Sequence, residues 1–216
     1  MQPAIRDIPC FIFDFDGTIF DSDEALIKHD TMFLSNYGTF TFDRRQHRDQ
    51  ICGFTALDYM HFLKRELQLE PPVEALYEEF TRAALAIYND CTVIHGALNL
   101  LTTLKELGKR VGIATANSAD AVNQFLSSNT QFSNLVDVVV SCEEVEVCKP
   151  NPEVYIRCAQ KLGYDISCCV ILEDSLVGLR GARASGAKVY GVLAEPDYQR
   201  QQLCDWWGYD LTQVLD

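Results

Sequence analysis

The chain has 216 residues, 48% of them hydrophobic, which predicts one large domain or one domain that carries a smaller insert. This apolar content is ample for a packed core and excludes a disordered chain. The 18 basic and 31 acidic residues give a net charge of −13, which argues against nucleic acid or an anionic membrane as the main partner.

The amino terminus and the cysteines indicate a compartment. Residues 1–9 lack the apolar run of a signal peptide, and no stretch of the sequence approaches a membrane span. The nine cysteines include no CxxC pair, and several fall within predicted strands or helices, where reduced cysteine acts as a small apolar residue. We therefore expect a soluble, cytoplasmic protein without a zinc site.

The first predicted strand, residues 10–14, is apolar and leads directly into Asp14-Phe15-Asp16-Gly17-Thr18. Residues two apart in a strand lie on the same side, so Asp14 and Asp16 start out facing one way. Burying two like charges this close is costly unless a cation or a reaction needs them. Asp-Gly is also a common turn pair, but the apolar strand before it favours a functional site.

Helical periodicity without any strand signal follows over residues 22–91. Helices are predicted at 22–36, 55–68 and 73–88, with a short piece near 43–51. Such an insert would lie over the carboxyl end of the first strand, where open α/β sheets bind ligands, and would act as a lid.

Two features of the insert are candidates for substrate contact. Thr55 lies beside Gly53, and a glycine loop in such a cap can reach the crevice, so we include Thr55 among the substrate-binding residues. A basic cluster is interpreted as a solvated helix face rather than a contact with an anionic substrate: Arg44, Arg45, His47 and Arg48.

After the insert the pattern alternates between strands and helices. The predicted strands are 110–115, 135–140, 168–172 and 188–193, and the predicted helices are 97–108, 118–129, 151–163 and 175–185. Each strand is short, apolar on both faces and rich in β-branched residues, as in a parallel sheet covered on both sides. The pattern predicts an α/β fold, with a Rossmann-like doubly wound parallel sheet at 1–21 and 92–216 and an inserted α-helical cap domain at 22–91.

Two segments of this second part are interpreted as structural. The small residues of 178–186 let that helix pack tightly on the sheet, and its arginines are placed on the surface. The stretch 205–209 is interpreted as a terminal segment docked on the core, or as a dimer contact if its tryptophans are exposed. His29, His61 and His95 are interpreted as surface or packing residues rather than metal ligands.

Polar clusters follow three of the later strands, and we expect all of them around one crevice with Asp14 and Asp16. The clusters are Thr115-Ala116-Asn117-Ser118, Lys149-Pro150-Asn151-Pro152 and Glu173-Asp174-Ser175. With Asp14, Asp16, Glu173 and Asp174 ionised the charge is −4, and Lys149 brings it to −3, which would repel a phosphate. A hard divalent cation, which binds carboxylate oxygens and water, would offset this repulsion, and Mg²⁺ suits such a cluster best.

The motifs together resemble the haloacid-dehalogenase superfamily, specifically its members with a helical cap inserted after the first strand, such as the β-phosphoglucomutase and phosphoglycolate phosphatase-like subgroup. The resemblance covers essentially the whole chain. Each motif alone is weak evidence, but all of them in the right order, each after a predicted strand, make a strong signal. They are Asp14-Phe15-Asp16-Gly17-Thr18, Thr115 with Asn117, Lys149-Pro150-Asn151-Pro152, and Glu173-Asp174-Ser175 leading to Gly178.

The resemblance implies a role for each motif residue. Asp14 would be the nucleophile and Asp16 the general acid and base. Lys149 would keep Asp14 ionised and neutralise developing charge. The other implied roles are phosphoryl binding by Thr115, Ala116 and Asn117, and Mg²⁺ binding by Asp14, the Asp16 main-chain carbonyl and Asp174, with Glu173 in support directly or through water.

Asp16 points to phosphate esters as substrates, because the resemblance implies that dehalogenases and phosphonate-cleaving members lack a carboxylate there. We therefore predict a Mg²⁺-dependent phosphatase that hydrolyses a small phosphorylated metabolite, such as a sugar phosphate, phosphoglycolate or a nucleotide, through an aspartyl-phosphate. A sugar-phosphate mutase is the alternative, but Leu26 and Ala56 occupy the positions aligned with its cap histidine and arginine. A non-catalytic binding protein ranks lower, since all the motifs are intact. The oligomeric state stays open.

Overall fold

The computed structural model describes residues 4–84 and 91–215. Its centre is a six-stranded parallel sheet in the order β5-β4-β1-β6-β7-β8, in which every neighbouring pair is parallel. The strands are β1 (Cys10–Phe13), β4 (Arg110–Thr115), β5 (Val138–Ser141), β6 (Cys169–Glu173), β7 (Lys188–Val192) and β8 (Trp206–Gly208). The predicted α/β doubly wound fold is confirmed.

The position of β1 determines where a site can form. Counted along the chain, the strands of this sheet lie in the order 3-2-1-4-5-6, so the direction of winding reverses beside β1. Ligands of open α/β sheets bind at the carboxyl ends of the strands at this reversal. All of β1 is buried, and it pairs with β4 on one side and with β6 on the other.

Helices cover both faces of the sheet. Alternate residues of β1 point to opposite faces, and the residues on each face are apolar and need to be buried. Phe11 and Phe13 belong to one buried apolar cluster, and Cys10 and Ile12 belong to a second. The first cluster includes residues of α5 (Ala97–Glu106), α6 (Ala119–Ser128) and α7 (Thr130–Ser133). The second includes residues of α8 (Glu153–Leu162) and α9 (Leu176–Ser185).

A helical segment that we call the cap leaves the sheet after β1. It contains α1 (Asp23–Ser35), α2 (Arg48–Ile51), α3 (Ala56–Leu67) and α4 (Val73–Ala84), and it has its own buried core. Two short strands, β2 (Phe20–Asp21) and β3 (Thr92–Val93), pair antiparallel near its two ends. The predicted end of the last cap helix, residues 85–88, lies outside the described residues, and the domain limits at 21/22 and 91/92 stay a prediction.

The structure differs from the sequence prediction at the carboxyl-terminal edge of the sheet. Residues 206–208, expected to be a docked terminal segment, form β8 and pair in parallel with β7. The last helix before it is α10 (Tyr198–Gln201). The strand was missed because only Gly208 in it is buried, so it lacks the continuous apolar pattern of the inner strands.

The cysteines also depart from expectation. Cys142 and Cys148 form a disulfide with 5.0 Å between their Cα atoms, whereas the sequence suggested no disulfide. This pair was not identified because its cysteines do not form a CxxC motif and neither lies in a predicted strand or helix. Within the described ranges, none of the helices has the length and apolar character needed to cross a bilayer.

The lowered pKa of Asp137, which lies just before β5, predicts that the stability of the fold depends on pH. Burial alone would raise its pKa, but hydrogen bonds from Lys105 Nζ and from the Val111 amide at 2.8 Å, with Arg110 nearby, lower it. A carboxyl whose folded pKa is depressed stabilises the protein above its unfolded pKa of about 3.9, and this contribution is lost as the pH falls through the folded value.

We expect Asp137→Asn to lower the free energy of unfolding at pH 7 by about 1–2 kcal/mol. The difference from wild type should shrink as the pH falls below about 4. Urea unfolding at pH 7 and near pH 3 measures both values, with the exposed Asp7→Asn as the matched control. A loss of equal size at both pH values would contradict the assignment.

Candidate active site

The residues after β1 form a tight turn that places two aspartates above the sheet edge. Asp14 is 6% exposed, and its amide donates to the Leu172 carbonyl at 2.9 Å, which continues the pairing of β1 with β6. Gly17 has φ +85°, a left-handed conformation that a side chain disfavours, and its amide donates to the Phe20 carbonyl at 2.7 Å. The turn therefore directs Asp14 inward and leaves Asp16 half-buried beside it.

Lys149 crosses the centre of the site. Its side chain is 2% exposed, and its Nζ donates to Asp14 Oδ1 at 2.5 Å and to Glu173 Oε1 at 2.8 Å. Charged groups this deeply buried need partners of opposite charge with good hydrogen-bond geometry, and each of these groups has one. The two ion pairs of Lys149 thus connect the loop before α8 to the carboxyl ends of β1 and β6.

The pKa values follow from this burial. Burial raises the pKa of Asp14 well above its ordinary range; Lys149 opposes the rise, while Glu173 and Asp174 add to it. Burial alone would lower the pKa of Lys149, but attraction to Asp14 and Glu173 outweighs it and raises that pKa, so the ammonium stays charged. With all three carboxylates ionised, they and the one ammonium sum to −2, which a divalent cation would neutralise and so favour ionised Asp14.

Glu173 is fixed by four donors. Lys149 Nζ reaches its Oε1, as does the Tyr155 hydroxyl at 3.2 Å. The Ser175 amide and hydroxyl donate to its Oε2 at 2.8 and 3.0 Å. Gly178 packs against it so closely that a Cβ there would lie 1.8 Å from Oε1. This arrangement makes Glu173 a support for Lys149 and for the start of α9.

Asp174 follows Glu173 and is more accessible than it. Its carboxylate fills the space beside Gly17, where a Cβ would meet Oδ2 at 2.5 Å, and Thr18 Oγ1 donates to its Oδ1 at 3.4 Å. Oxygens of Asp14, Glu173 and Asp174 lie within 4.8 Å of one another. Three carboxylates at this spacing suit a hard divalent cation.

The end of β4 supplies neutral hydrogen-bonding groups. Thr115 is 1% exposed, and its Oγ1 accepts from the Asn117 amide at 3.0 Å, so its own proton can go to a ligand. Asn117 Nδ2 donates to Asp16 Oδ2 at 3.2 Å and orients that carboxylate. Ser141 Oγ, at the end of β5, donates to the Asn117 carbonyl at 2.6 Å and holds the loop in place.

These residues line one cavity of about 910 Å³ between the cap and the sheet edge. Every residue given a catalytic, phosphoryl-binding or metal-binding role from the sequence lines it, and so does Thr55. Thr55 is the N-cap of α3, and its hydroxyl donates to Asp58 Oδ2 at 2.6 Å. The structure therefore places Thr55 on the cavity wall with its proton committed to the helix start.

Two contacts hold the cap against the sheet edge. Gly53, with φ +81°, packs so that a Cβ would lie 2.8 Å from Val177 Cγ1 and 3.6 Å from the Lys149 carbonyl oxygen. The Tyr77 hydroxyl on α4 donates to Glu143 Oε1 at 3.3 Å. The cap therefore touches both the loop that carries Lys149 and the start of α9.

The structure changes the interpretation of two arginines. Arg44 is not part of a solvated helix face: its side chain is 22% exposed, donates to the buried Asp30 at 3.1 Å, and packs over the Tyr59 ring. The prediction was wrong for Arg44 because residues 44–47 form a short 3-10 helix in which Arg44 packs over Tyr59, whereas Arg45 is exposed as predicted. Arg180 is exposed as predicted and also lines the cavity.

Tyr155 and Ser141 were not identified from the sequence. Tyr155 lies in α8 within an apolar pattern that predicts core, and only the structure shows that its hydroxyl contacts Glu173. Ser141 ends β5 as Thr115 ends β4. That shared position at the carboxyl end of a strand was the available signal for Ser141.

Comparisons with known proteins agree with this geometry. Residues 11–192 match the family model described as haloacid dehalogenase-like hydrolase. The chain is 27% identical over 187 residues to the bifunctional riboflavin kinase/FMN phosphatase of Arabidopsis thaliana, covering 87% of this chain but only 49% of that protein. It is 26% identical over 181 residues to hexitol phosphatase B of Escherichia coli K12, covering 83% of this chain and 81% of that protein.

The fold has close structural neighbours. The crystal structure of CbbY from Rhodobacter sphaeroides in complex with phosphate has a TM-score of 0.83 to this chain at 21% identity, and 96% of each chain is covered. At this identity the likeness establishes the fold. The family match spans most of the chain and contains every motif residue of the site, and the chain therefore belongs to the haloacid dehalogenase-like hydrolase family.

Proposed function

We propose that the protein is a Mg²⁺-dependent phosphatase that hydrolyses a small phosphorylated metabolite through an aspartyl-phosphate intermediate. As a member of this hydrolase family with phosphatases among its relatives, the chain is a phosphoric monoester hydrolase. The observation that carries the finer proposal is the convergence of Asp14, Asp16 and Asp174 with Lys149 at one cavity. A sugar phosphate, phosphoglycolate or a nucleotide fits the class.

The chemistry of the donor set suits magnesium. Asp14 and Asp174 would hold the ion together with the Asp16 main-chain carbonyl, since both Glu173 oxygens are already occupied by Lys149, Tyr155 and Ser175. Oxygen donors at this density are what Mg²⁺ prefers. When bound, the ion would shield the charge between the carboxylates and the incoming phosphate.

Asp14 would attack phosphorus and form the new P–O bond while the ester P–O bond breaks. Asp16 would give its proton to the departing alkoxide. The side-chain amide of Asn117, whose Nδ2 lies 3.2 Å from Asp16 Oδ2, would hold Asp16 in position for this transfer. Asp16 would then take a proton from water as the water attacks the acyl phosphate. Inorganic phosphate would leave, and Asp14 would be regenerated as a carboxylate.

The transferring phosphoryl group needs donors that do not move. The Thr115 hydroxyl would supply one. Its oxygen accepts a hydrogen bond from the backbone amide of Asn117, which leaves the hydroxyl proton available to the ligand. The backbone amide of Ala116 would supply another at the same loop. The Lys149 ammonium would stabilise charge on the oxygens next to Asp14.

The mutase alternative finds no support in the cap. Leu26 and Ala56, which occupy the positions aligned with the mutase histidine and arginine, both line the cavity as apolar side chains. A mutase must hold a bisphosphate while it reorients, and these residues offer no hydrogen bond for that step. Hydrolysis is therefore the reaction that the cavity wall favours.

Hydrolysis of p-nitrophenyl phosphate tests the proposal. We expect turnover with Mg²⁺, loss of turnover with a chelator, and a fall in kcat of roughly 10³-fold or more in Asp14→Asn. Leu57→Ala, an exposed change outside the cavity, is the matched control and should keep wild-type rates. Turnover in Asp14→Asn at the wild-type rate would refute the nucleophile.

The support that Glu173 gives to Lys149 predicts a second effect. Gly178→Ala would place a methyl group 1.8 Å from Glu173 Oε1, so either Glu173 or α9 must move. We expect a fall in kcat of at least 10-fold and a stability loss of about 2–4 kcal/mol from overpacking next to a buried charge.

Thermal unfolding and p-nitrophenyl phosphate turnover measure both effects of Gly178→Ala. Ala184→Gly, an exposed change in the same helix, is the control and should cost about 1 kcal/mol with kcat unchanged. If Gly178→Ala behaved like Ala184→Gly, the close packing of α9 against Glu173 would not matter for catalysis.

A further inference from the structure

The wall that the cap adds to the cavity is mostly apolar. The cavity has a volume of about 910 Å³, which lies at the upper end of the range for small-molecule sites, roughly 300–1,000 Å³. The same cavity reaches from Asp14 to this wall without a break. The apolar and aromatic side chains of this wall include Leu26, Ile27, Phe54, Ala56, Tyr77 and Phe80.

Several hydroxyl groups on this wall have their protons committed within the cap. Thr55 Oγ1 donates to Asp58 Oδ2 at 2.6 Å, and the Tyr59 hydroxyl donates to Asp30 Oδ2 at 2.7 Å. Thr81 Oγ1 donates to a main-chain carbonyl of its own helix at 2.7 Å. A polyol placed against this part of the wall would find no donor among these three hydroxyls, and the charged groups that the cap adds to the cavity include Arg44 and Arg45.

Arg44 adds a flat cation to this wall. Its guanidinium carbon lies 4.6 Å from the centroid of the Tyr59 ring, and its Nη1 is held by Asp30 at 3.1 Å. Burial alone would lower the pKa of Arg44, but Asp30 and Tyr59 raise it, so the group stays charged. A planar guanidinium fixed next to aromatic rings stacks well on another flat ring.

We propose that the leaving group of the substrate carries a flat heteroaromatic ring, which lies against the apolar cap wall near Arg44 while the phosphate lies at Asp14. This inference rests on the proposed phosphatase function and narrows its substrate class. Phe54 is a specificity-determining residue in this arrangement. It is 37% exposed, lines the cavity, and lies in the loop that packs on the sheet edge.

A substrate panel tests the inference separately from the reaction. The ring substrates are flavin mononucleotide, pyridoxal 5′-phosphate and adenosine monophosphate, which distinguish flavin, pyridine and purine sources. The ring-free substrates are sorbitol 6-phosphate, fructose 1-phosphate and phosphoglycolate. We expect at least one ring substrate to exceed all ring-free substrates by 10-fold or more in kcat/KM. A higher kcat/KM for a ring-free substrate would overturn the inference and leave the phosphatase proposal intact.

Variants of the wall separate ring binding from structure. Phe54→Ala should raise KM for the preferred ring substrate by about 10-fold, equal to about 1.4 kcal/mol, with KM for phosphoglycolate unchanged. Leu57→Ala on the neighbouring helix, exposed and outside the cavity, should change neither value. Equal changes in both KM values for Phe54→Ala would assign Phe54 a structural role and overturn its part in specificity.

Binding without turnover keeps the inference testable if p-nitrophenyl phosphate is not hydrolysed, which would refute the phosphatase proposal alone. Asp14→Asn can be titrated with flavin mononucleotide, whose fluorescence falls when its ring stacks on aromatic side chains. We expect saturable quenching that Phe54→Ala weakens in the Asp14→Asn background. No quenching with flavin mononucleotide, together with no protection of the fold by pyridoxal 5′-phosphate or adenosine monophosphate, would overturn the inference.

Discussion

The buried ammonium of Lys149 is the interaction on which the site depends. It bonds Asp14 and Glu173 at 2.5 and 2.8 Å in a place where unpaired carboxylates would be strongly disfavoured. Because Lys149 belongs to the loop before α8 while its partners end β1 and β6, the ion pair joins three segments that are distant in sequence. The sheet edge can therefore hold Asp14, the proposed nucleophile, in a buried environment, which is where electrostatic stabilisation is strongest.

The rest of the fold protects this centre. The strand order of the sheet brings the carboxyl ends of β1, β4 and β6 together. Residues of α8 and of the start of α9 hold Glu173 in place, namely Tyr155, Ser175 and Gly178. The cap closes the cavity through the contact of Gly53 with α9 and through the hydrogen bond from Tyr77 to Glu143. A rigid catalytic edge and a separate apolar wall explain how one scaffold can keep its chemistry while its substrate changes.

Much of this could be predicted from the sequence, because the signals are local. An apolar strand followed by Asp14 or Thr115 marks a carboxyl end of the sheet, and Gly108, Gly163 and Gly186 mark helix ends, where the structure gives each a positive φ. Arg44 and Tyr155 could not be assigned, because their partners lie in other elements of the fold, and the Cys142–Cys148 disulfide could not, because its spacing is not that of a CxxC motif. β8 escaped notice because an edge strand has a weak apolar pattern.

The most direct test of the central claim is a crystal structure with Mn²⁺ in place of Mg²⁺, with the ion located by its anomalous scattering. The account predicts one ion in contact with the carboxylates of Asp14 and Asp174 and with the Asp16 carbonyl, while Lys149 keeps its bonds to Asp14 and Glu173. An ion held by Glu173 after Lys149 has moved away, or no ion at this edge at saturating Mn²⁺, would contradict it.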